Sequence, residues 1–138
     1  MNITKSHRAY FKAAKAMSEM SNFKQHHIGA VAVHGHKIIS SGFNSNKTNP
    51  IQKRLNIYRF DVDTNHTVHA ELACLLPLIN RKDINFSDVS LYIYREYKNG
   101  IPAISRPCPS CMALIRQLGV RKLYYSGDNS FINEELEY

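Results

Sequence analysis

The chain has 138 residues, 18 basic and 11 acidic side chains, and a formal net charge of +7. That length suits one domain, residues 1–138, with a real core, and 43% hydrophobic residues exclude a disordered chain. Three cysteines exclude a disulfide framework, and no apolar run is long enough to span a membrane. The first twenty residues lack the apolar stretch of a secretion signal, so a reducing, cytoplasmic setting is expected. The positive charge suits a phosphate-bearing substrate or a polyanion, and equally a modestly basic protein with no nucleic-acid role.

From about Thr4 to Met20, Tyr10, Ala13, Ala14, Met17 and Met20 recur at helical spacing, with Lys5, Lys12, Lys15 and Glu19 on the other side. The run "IGAVAV", Ile28 to Val33, predicts a buried strand. A tight hairpin at His34–Gly35 leads into a second strand, "HKIISSGF". A polar stretch then runs from Asn44 to about Thr67. Inside it, Asn49 as N-cap and Pro50 at the first helical position predict a short helix with Ile51, Leu55 and Tyr58 on one face. "VHAELACLL", from Val68, predicts a helix buried against a sheet, ended or kinked by Pro77. "VSLYIY", Val89 to Tyr94, alternates as a strand does. "CPSCMALIRQLG" predicts a further helix closed by Gly119, and "VRKLYYS" another strand. The tail "GDNSFINEELEY" is read as a turn and a short last strand. Strands separated by helices give an α/β layered domain.

Residues 107–111 read "PCPSC". Such a pair serves a disulfide, a redox couple, or half of a structural or catalytic metal site. A redox couple calls for a thioredoxin-like arrangement that this chain lacks. Cys108 and Cys111 start a helix, where i and i+3 point the same way and the helix end favours thiolate. His69 and Glu71 start the preceding helix. If both helices follow adjacent parallel strands, their starts meet at one sheet edge, where ligands of open α/β sheets bind. His69, Cys108 and Cys111 then converge on one ion, and one nitrogen with two sulfurs selects zinc. Three protein ligands leave a fourth position for water, the pattern of a catalytic rather than a closed structural zinc. Cys74 lies about 140° round the helix from His69 and reads as a small buried side chain. A structural zinc closed by Cys74, His66 or Glu71 is the competing reading. Glu71 beside the metal is a carboxylate that can take a proton and hand it on.

Other polar residues have plainer readings. His66 is either a support for His69 or a solvent-facing loop histidine, and His26, His27, His34 and His36 are expected to be exposed at strand ends and turns. Asn44 by itself reads as a turn stabiliser. Lys47, Lys53, Arg54 and Arg59, with Tyr58 and Phe60, form a phosphate clamp, a single-strand groove, or a solvated face diluted by Asp61 and Asp63.

"HAE" at 69–71 followed by "PCPSC" matches the signature of the zinc nucleoside and nucleotide deaminases. The chain resembles that family from its first helix through "VRKLYYS", and "PCPSCMALIRQLGVRKLYYS" is most similar to the deoxycytidylate deaminase branch. The resemblance implies a three-layer α/β/α fold with a mixed central sheet of four or five strands. It implies zinc on His69, Cys108 and Cys111, with Glu71 as the catalytic proton carrier. It also implies that Asn44, from "GFN", holds the sugar and that the Ala70 N–H meets the pyrimidine carbonyl. The implied reaction is hydrolytic deamination of a cytosine nucleotide, dCMP to dUMP with release of ammonia, by a homo-oligomer. One alternative is a deaminase of cytosine or adenine in single-stranded DNA or RNA; another is a silent nucleotide-binding or scaffold protein, against which Glu71 argues. The chain departs from the family in its short tail and in segment 45–67.

Overall fold

The computed structural model describes residues 3–59 and 66–137. Among these, four α-helices and five strands follow in the order α1 (Lys5–Ser18), β1 (Ile28–His34), β2 (Lys37–Phe43), α2 (Pro50–Leu55), α3 (Ala70–Leu75), β3 (Val89–Arg95), α4 (Pro109–Leu118), β4 (Lys122–Gly127) and β5 (Ser130–Glu135). The strands form one mixed sheet, ordered β2-β1-β3-β4-β5. β1 is antiparallel to both β2 and β3, β3 and β4 are parallel, and β5 returns antiparallel along β4. The tail therefore forms the short last strand expected of it, entered by a turn with Asn129 at φ 52°.

Helix α1 covers one face of the sheet, while α3 and α4 lie on the other, which gives three layers. The two cores follow from strand alternation. On β1, Val31 and Val33 face Phe11 and Ala14 of α1, whereas Ala30 and Ala32 face Leu72 and Leu75 of α3. On β3, Tyr92 and Tyr94 take the α1 side, and Leu91 and Ile93 the other. "VSLYIY" is thus buried on both faces, and the alternation separates aromatic from aliphatic rather than wet from dry. Its apolar surface is covered within the chain: Tyr92 is stacked on Tyr124 at 4.4 Å and edge-on to Phe11 at 5.2 Å.

Local signals set the helix ends. Thr4 caps α1 through a reciprocal pair with His7. Asn49 caps α2, whose first residue is Pro50, as expected. α2 stops at Leu55 and passes into a 3₁₀ turn, Asn56–Tyr58. Its buried face is Gln52, Leu55 and Asn56, with Ile51 half-buried, so Tyr58 does not share it and stands 45% exposed. α3 ends in a 3₁₀ turn, Leu76–Leu78, that contains Pro77. Gly119 closes α4 in the left-handed region at φ 92°.

One glycine sets the height of α3. A Cβ at Gly42 of β2 would stand 2.9 Å from the Ala70 carbonyl oxygen and 2.7 Å from the Ala73 carbonyl carbon. The helix rests directly on the strand, and only glycine admits that approach.

Candidate active site at the ends of β2 and β3

Sheet topology brings the two helix starts together by a route different from the one expected. α3 follows β2 and α4 follows β3, but these strands are not neighbours. Each pairs antiparallel with β1 between them, so both run the same way and end at the same edge. There Gly29 pairs with Phe43, and Ile28 with Arg95. The chain leaves β2 at Asn44 and β3 at Arg95, each beside the start of β1.

Two loops carry the helix starts to that edge. Residues 45–49 and 66–68 run alongside one another: Ser45 N–H donates to Val68 O at 3.1 Å, and Val68 N–H to Lys47 O at 2.9 Å. On the other side, Glu96–Pro102 folds as a small hairpin held to the β4–β5 turn. The Tyr97 hydroxyl donates to Asp128 at 2.7 Å, and Asn129 N–H to Pro102 O at 2.8 Å. Buried Ser105 and Ser126 lie hydroxyl to hydroxyl at 2.8 Å, and Ser126 Oγ donates to Ala103 O at 2.7 Å. These bonds fix segment 103–107 and so deliver Cys108.

His69 and Cys108 are the N-cap residues of α3 and α4. His69 Nδ1 lies 3.3 Å from Cys111 Sγ and 3.4 Å from Cys108 Sγ. All three donor atoms fall within 4.8 Å of one another. Tetrahedral zinc with bonds of 2.0–2.3 Å sets neighbouring donors about 3.5 Å apart, so the observed set fits zinc. Among the described residues no fourth ligand joins this group. Cys74 is fully buried away from it, its thiol pushed up to about 12 chiefly by burial, as befits a core residue.

The electrostatics suit a cation. The Cys111 hydrogen bond draws the Cys108 thiol down to about 3, against burial; His69 and Ser110 add to the pull. Ser110 Oγ is 3.0 Å from Cys108 Sγ. Cys111 is correspondingly raised, by the Cys108 hydrogen bond first and by burial. Burial lowers the His69 pKa, but the Cys108 hydrogen bond and the Glu71 and Cys108 charges raise it on balance. Glu71, 5% exposed, is raised to about 6 by burial first, with His69 opposing and Cys108 reinforcing. It lies beside Cys111 and faces the cavity.

That cavity measures about 760 Å³. Its wall carries the cations Lys24, Arg59, Arg95 and Arg106, and Glu71 as its one carboxylate among the described residues. Asn44 lines it, 4% exposed, accepting from Ile28 N–H at 2.8 Å and donating to His26 O at 3.0 Å. Ala70, fully buried, is absent from the wall, which its neighbours His69 and Glu71 form.

Several sequence expectations change here. Of the basic segment, only Arg59 reaches the cavity; Lys47, Lys53 and Arg54 are exposed elsewhere, and Phe60, Asp61 and Asp63 lie outside the described residues. His26 is half-buried in the cavity wall, its pKa lowered by burial and then by Arg95 and His69. His34 is half-buried as well, while His27 and His36 are exposed. His66 is no solvent-facing residue: its Nδ1 is 3.1 Å from Asn56 Nδ2. Lys24, Arg95 and Arg106 were missed because they are distant in sequence; only Arg106 had a signal, next to "PCPSC". Gln52 and Asn56 were missed too, although two amides at i and i+4 are a legible pair.

Three side chains with the donor chemistry and spacing for zinc, an accessible cavity and a buried carboxyl group are the parts of a zinc-dependent hydrolytic site. Residues 4–127 match the model of the cytidine and deoxycytidylate deaminase zinc-binding region, and the chain belongs to that family. Its structure resembles the dCMP deaminase of the cyanophage S-TIM5 in apo form, at 26% identity over 91% of this chain and 84% of that one, TM-score 0.62. The same phage enzyme in complex with dCMP and dUMP is 24% identical, covering 90% and 83%, TM-score 0.61. The cytidine deaminase of Burkholderia pseudomallei, at 18% identity, shares the fold over 96% and 93%, TM-score 0.64. No curated protein matches the sequence significantly. Among the described residues no helix is long and apolar enough to cross a membrane.

Proposed function

We propose that the chain deaminates a free cytosine mononucleotide, dCMP to dUMP with release of ammonia. The cavity carries this reading: Lys24, Arg59, Arg95 and Arg106, the last also paired with Glu134, share its wall with one carboxylate, the proton carrier. Cationic walls around a low-dielectric cleft concentrate anions, and one phosphate needs no more. Likeness to a phage dCMP deaminase supports the same substrate class.

His69, Cys108 and Cys111 would hold the zinc. Bound there, zinc lowers the pKa of a coordinated water towards neutrality. Glu71 moves the protons: its Oε takes one from the attacking water and delivers it to the pyrimidine ring nitrogen, then takes a second from the hydroxyl added to the ring carbon and passes it to the departing amine, leaving a carbonyl. A buried carboxyl group beside the ligand set suits both directions. In this reading Asn44 presents its remaining amide hydrogen to the sugar, and Ala70 its N–H to the ring carbonyl. The cytoplasmic location is kept on the cysteine usage, and the homo-oligomer on the family resemblance alone, since the apolar surface of α3 and β3 is used internally.

A second reading, deamination within single-stranded DNA or RNA, has one observation in its favour. Tyr58 is an exposed aromatic side chain next to Arg59 of the cavity wall, and aromatic rings stack on bases. Ammonia release from dCMP, CMP, cytidine, single-stranded DNA and structured RNA in parallel tests the choice. dCMP should be turned over fastest. Far faster turnover of a polynucleotide, falling steeply with salt, would replace the proposal.

A further inference from the structure

Segment 66–69 enters the site through a single β-bridge, Thr67 to Thr48, and His69 caps the helix that follows. The His69 carbonyl is used in the first turn, accepting from Ala73 N–H at 3.0 Å. Its own N–H is satisfied by a side chain: it donates to Gln52 Oε1 at 3.1 Å. Gln52 belongs to α2 and is fully buried. Burying a carboxamide is unfavourable unless its hydrogen bonds are made, and here they are. Gln52 Nε2 donates to Asn56 Oδ1 at 2.8 Å, and Asn56 Nδ2 lies 3.1 Å from His66 Nδ1. The two amides, one helical turn apart, thus grip segment 66–69 at both ends. His66 sits at φ 50°, a left-handed conformation that a non-glycine residue keeps only where its surroundings enforce it.

We infer that Gln52 is a positioning residue for the metal centre. It holds the backbone of His69 so that Nδ1 points at the two sulfurs, and Asn56 holds Gln52 and His66 in turn. This gives segment 45–67 a role beyond connecting β2 to α3, and it rests on reading His69 as a zinc ligand. Partners that orient a ligand from behind typically control metal affinity about 10–100-fold.

The test uses the zinc-loaded protein. Zinc dissociation constants are measured by competition with a chromophoric chelator for the parent, Gln52→Met, Gln52→Glu and Cys108→Ser, alongside urea unfolding of each metal-free protein. Gln52→Met keeps the shape and removes the acceptor; zinc should bind about ten-fold more weakly. Gln52→Glu keeps the acceptor for the His69 N–H but not the donor to Asn56 Oδ1, and should lose less zinc affinity than Gln52→Met. Should Gln52→Met fail to fold, Gln52→Asn, one methylene short of the His69 N–H, takes its place with the same expected loss. Parent-like affinity in Gln52→Met while Cys108→Ser loses zinc overturns the positioning role. Equal loss in the Met and Glu variants overturns it as well. Full zinc retention in Cys108→Ser instead overturns the ligand assignment beneath it.

Discussion

His69 and Cys108 occupy equivalent places in two helices: each is the N-cap residue, extended at φ −82°, ψ 155° and φ −69°, ψ 168°. N-cap side chains commonly bond the free N–H groups of their own helix. Neither of these does. Both turn outward instead and meet across the helix gap, Nδ1 to Sγ at 3.4 Å. The metal site is a joint between two helix starts, so occupying it ties α3 to α4.

The purified protein should therefore carry about one zinc per chain. Cys108→Ser and Cys111→Ser should lose the metal and unfold at lower urea concentration, because metal binding contributes to folding. Metal analysis of both variants checks this, and full retention in both contradicts the ligand set.

Glu71→Ala should keep zinc and fold while turnover falls at least ~10²–10⁴-fold, the usual contribution of a proton-transferring group. Glu71 sits beside Cys111, yet the three donors close on one another without it. Activity within a few-fold of the parent would remove it from the reaction.

Arg95 should distinguish nucleotide from nucleoside. It lies at the end of β3, on the cavity wall, with Nη1 3.4 Å from Ile104 O. Losing one hydrogen bond to a charged group costs about 1.5–3 kcal/mol, or roughly 10–100-fold. Arg95→Gln should raise KM for dCMP by about that factor and leave cytidine nearly unaffected. An equal rise for both substrates would show that Arg95 does not meet the phosphate.

Gly42→Ala should destabilise the fold by about 1–3 kcal/mol, since a methyl group there collides with α3 backbone that cannot rotate away. Urea unfolding measures it. A change under a few tenths of a kcal/mol would mean that α3 lifts off β2 without cost.

The Arg106–Glu134 pair, 3.0 and 2.9 Å in a two-pronged contact, supplies a pH signature. Hydrogen bonding from Arg106, then from Tyr125, holds the Glu134 pKa below its ordinary 4.5. The folded value is the lower one, so the stabilisation is complete above 4.5 and disappears as pH falls through the folded value. The pair is largely exposed, and screening limits it to about 0.2–1 kcal/mol. The stability gap between the parent and Glu134→Gln should be present near about pH 6 and close on acidification. A gap that persists in acid would assign it to packing.

Much of this protein was legible in one dimension. Hydrophobic periodicity and the cap residues Asn49, Pro50, Pro77 and Gly119 located the helices, because those signals act within one or two turns of chain. His69, Glu71, Cys108 and Cys111 announced a zinc site through donor chemistry and spacing alone. What the sequence left open depended on contacts between distant residues. It could not say that β1 would lie between β2 and β3, since strand order is a matter of which faces pack best. Nor could it say which cations would line the cavity, because Lys24, Arg95 and Arg106 meet only where three loops converge on one sheet edge. Gln52 shows the limit most clearly. Its carboxamide reads as a surface polar group in a short helix, and only burial against His69 gives it a partner and a purpose.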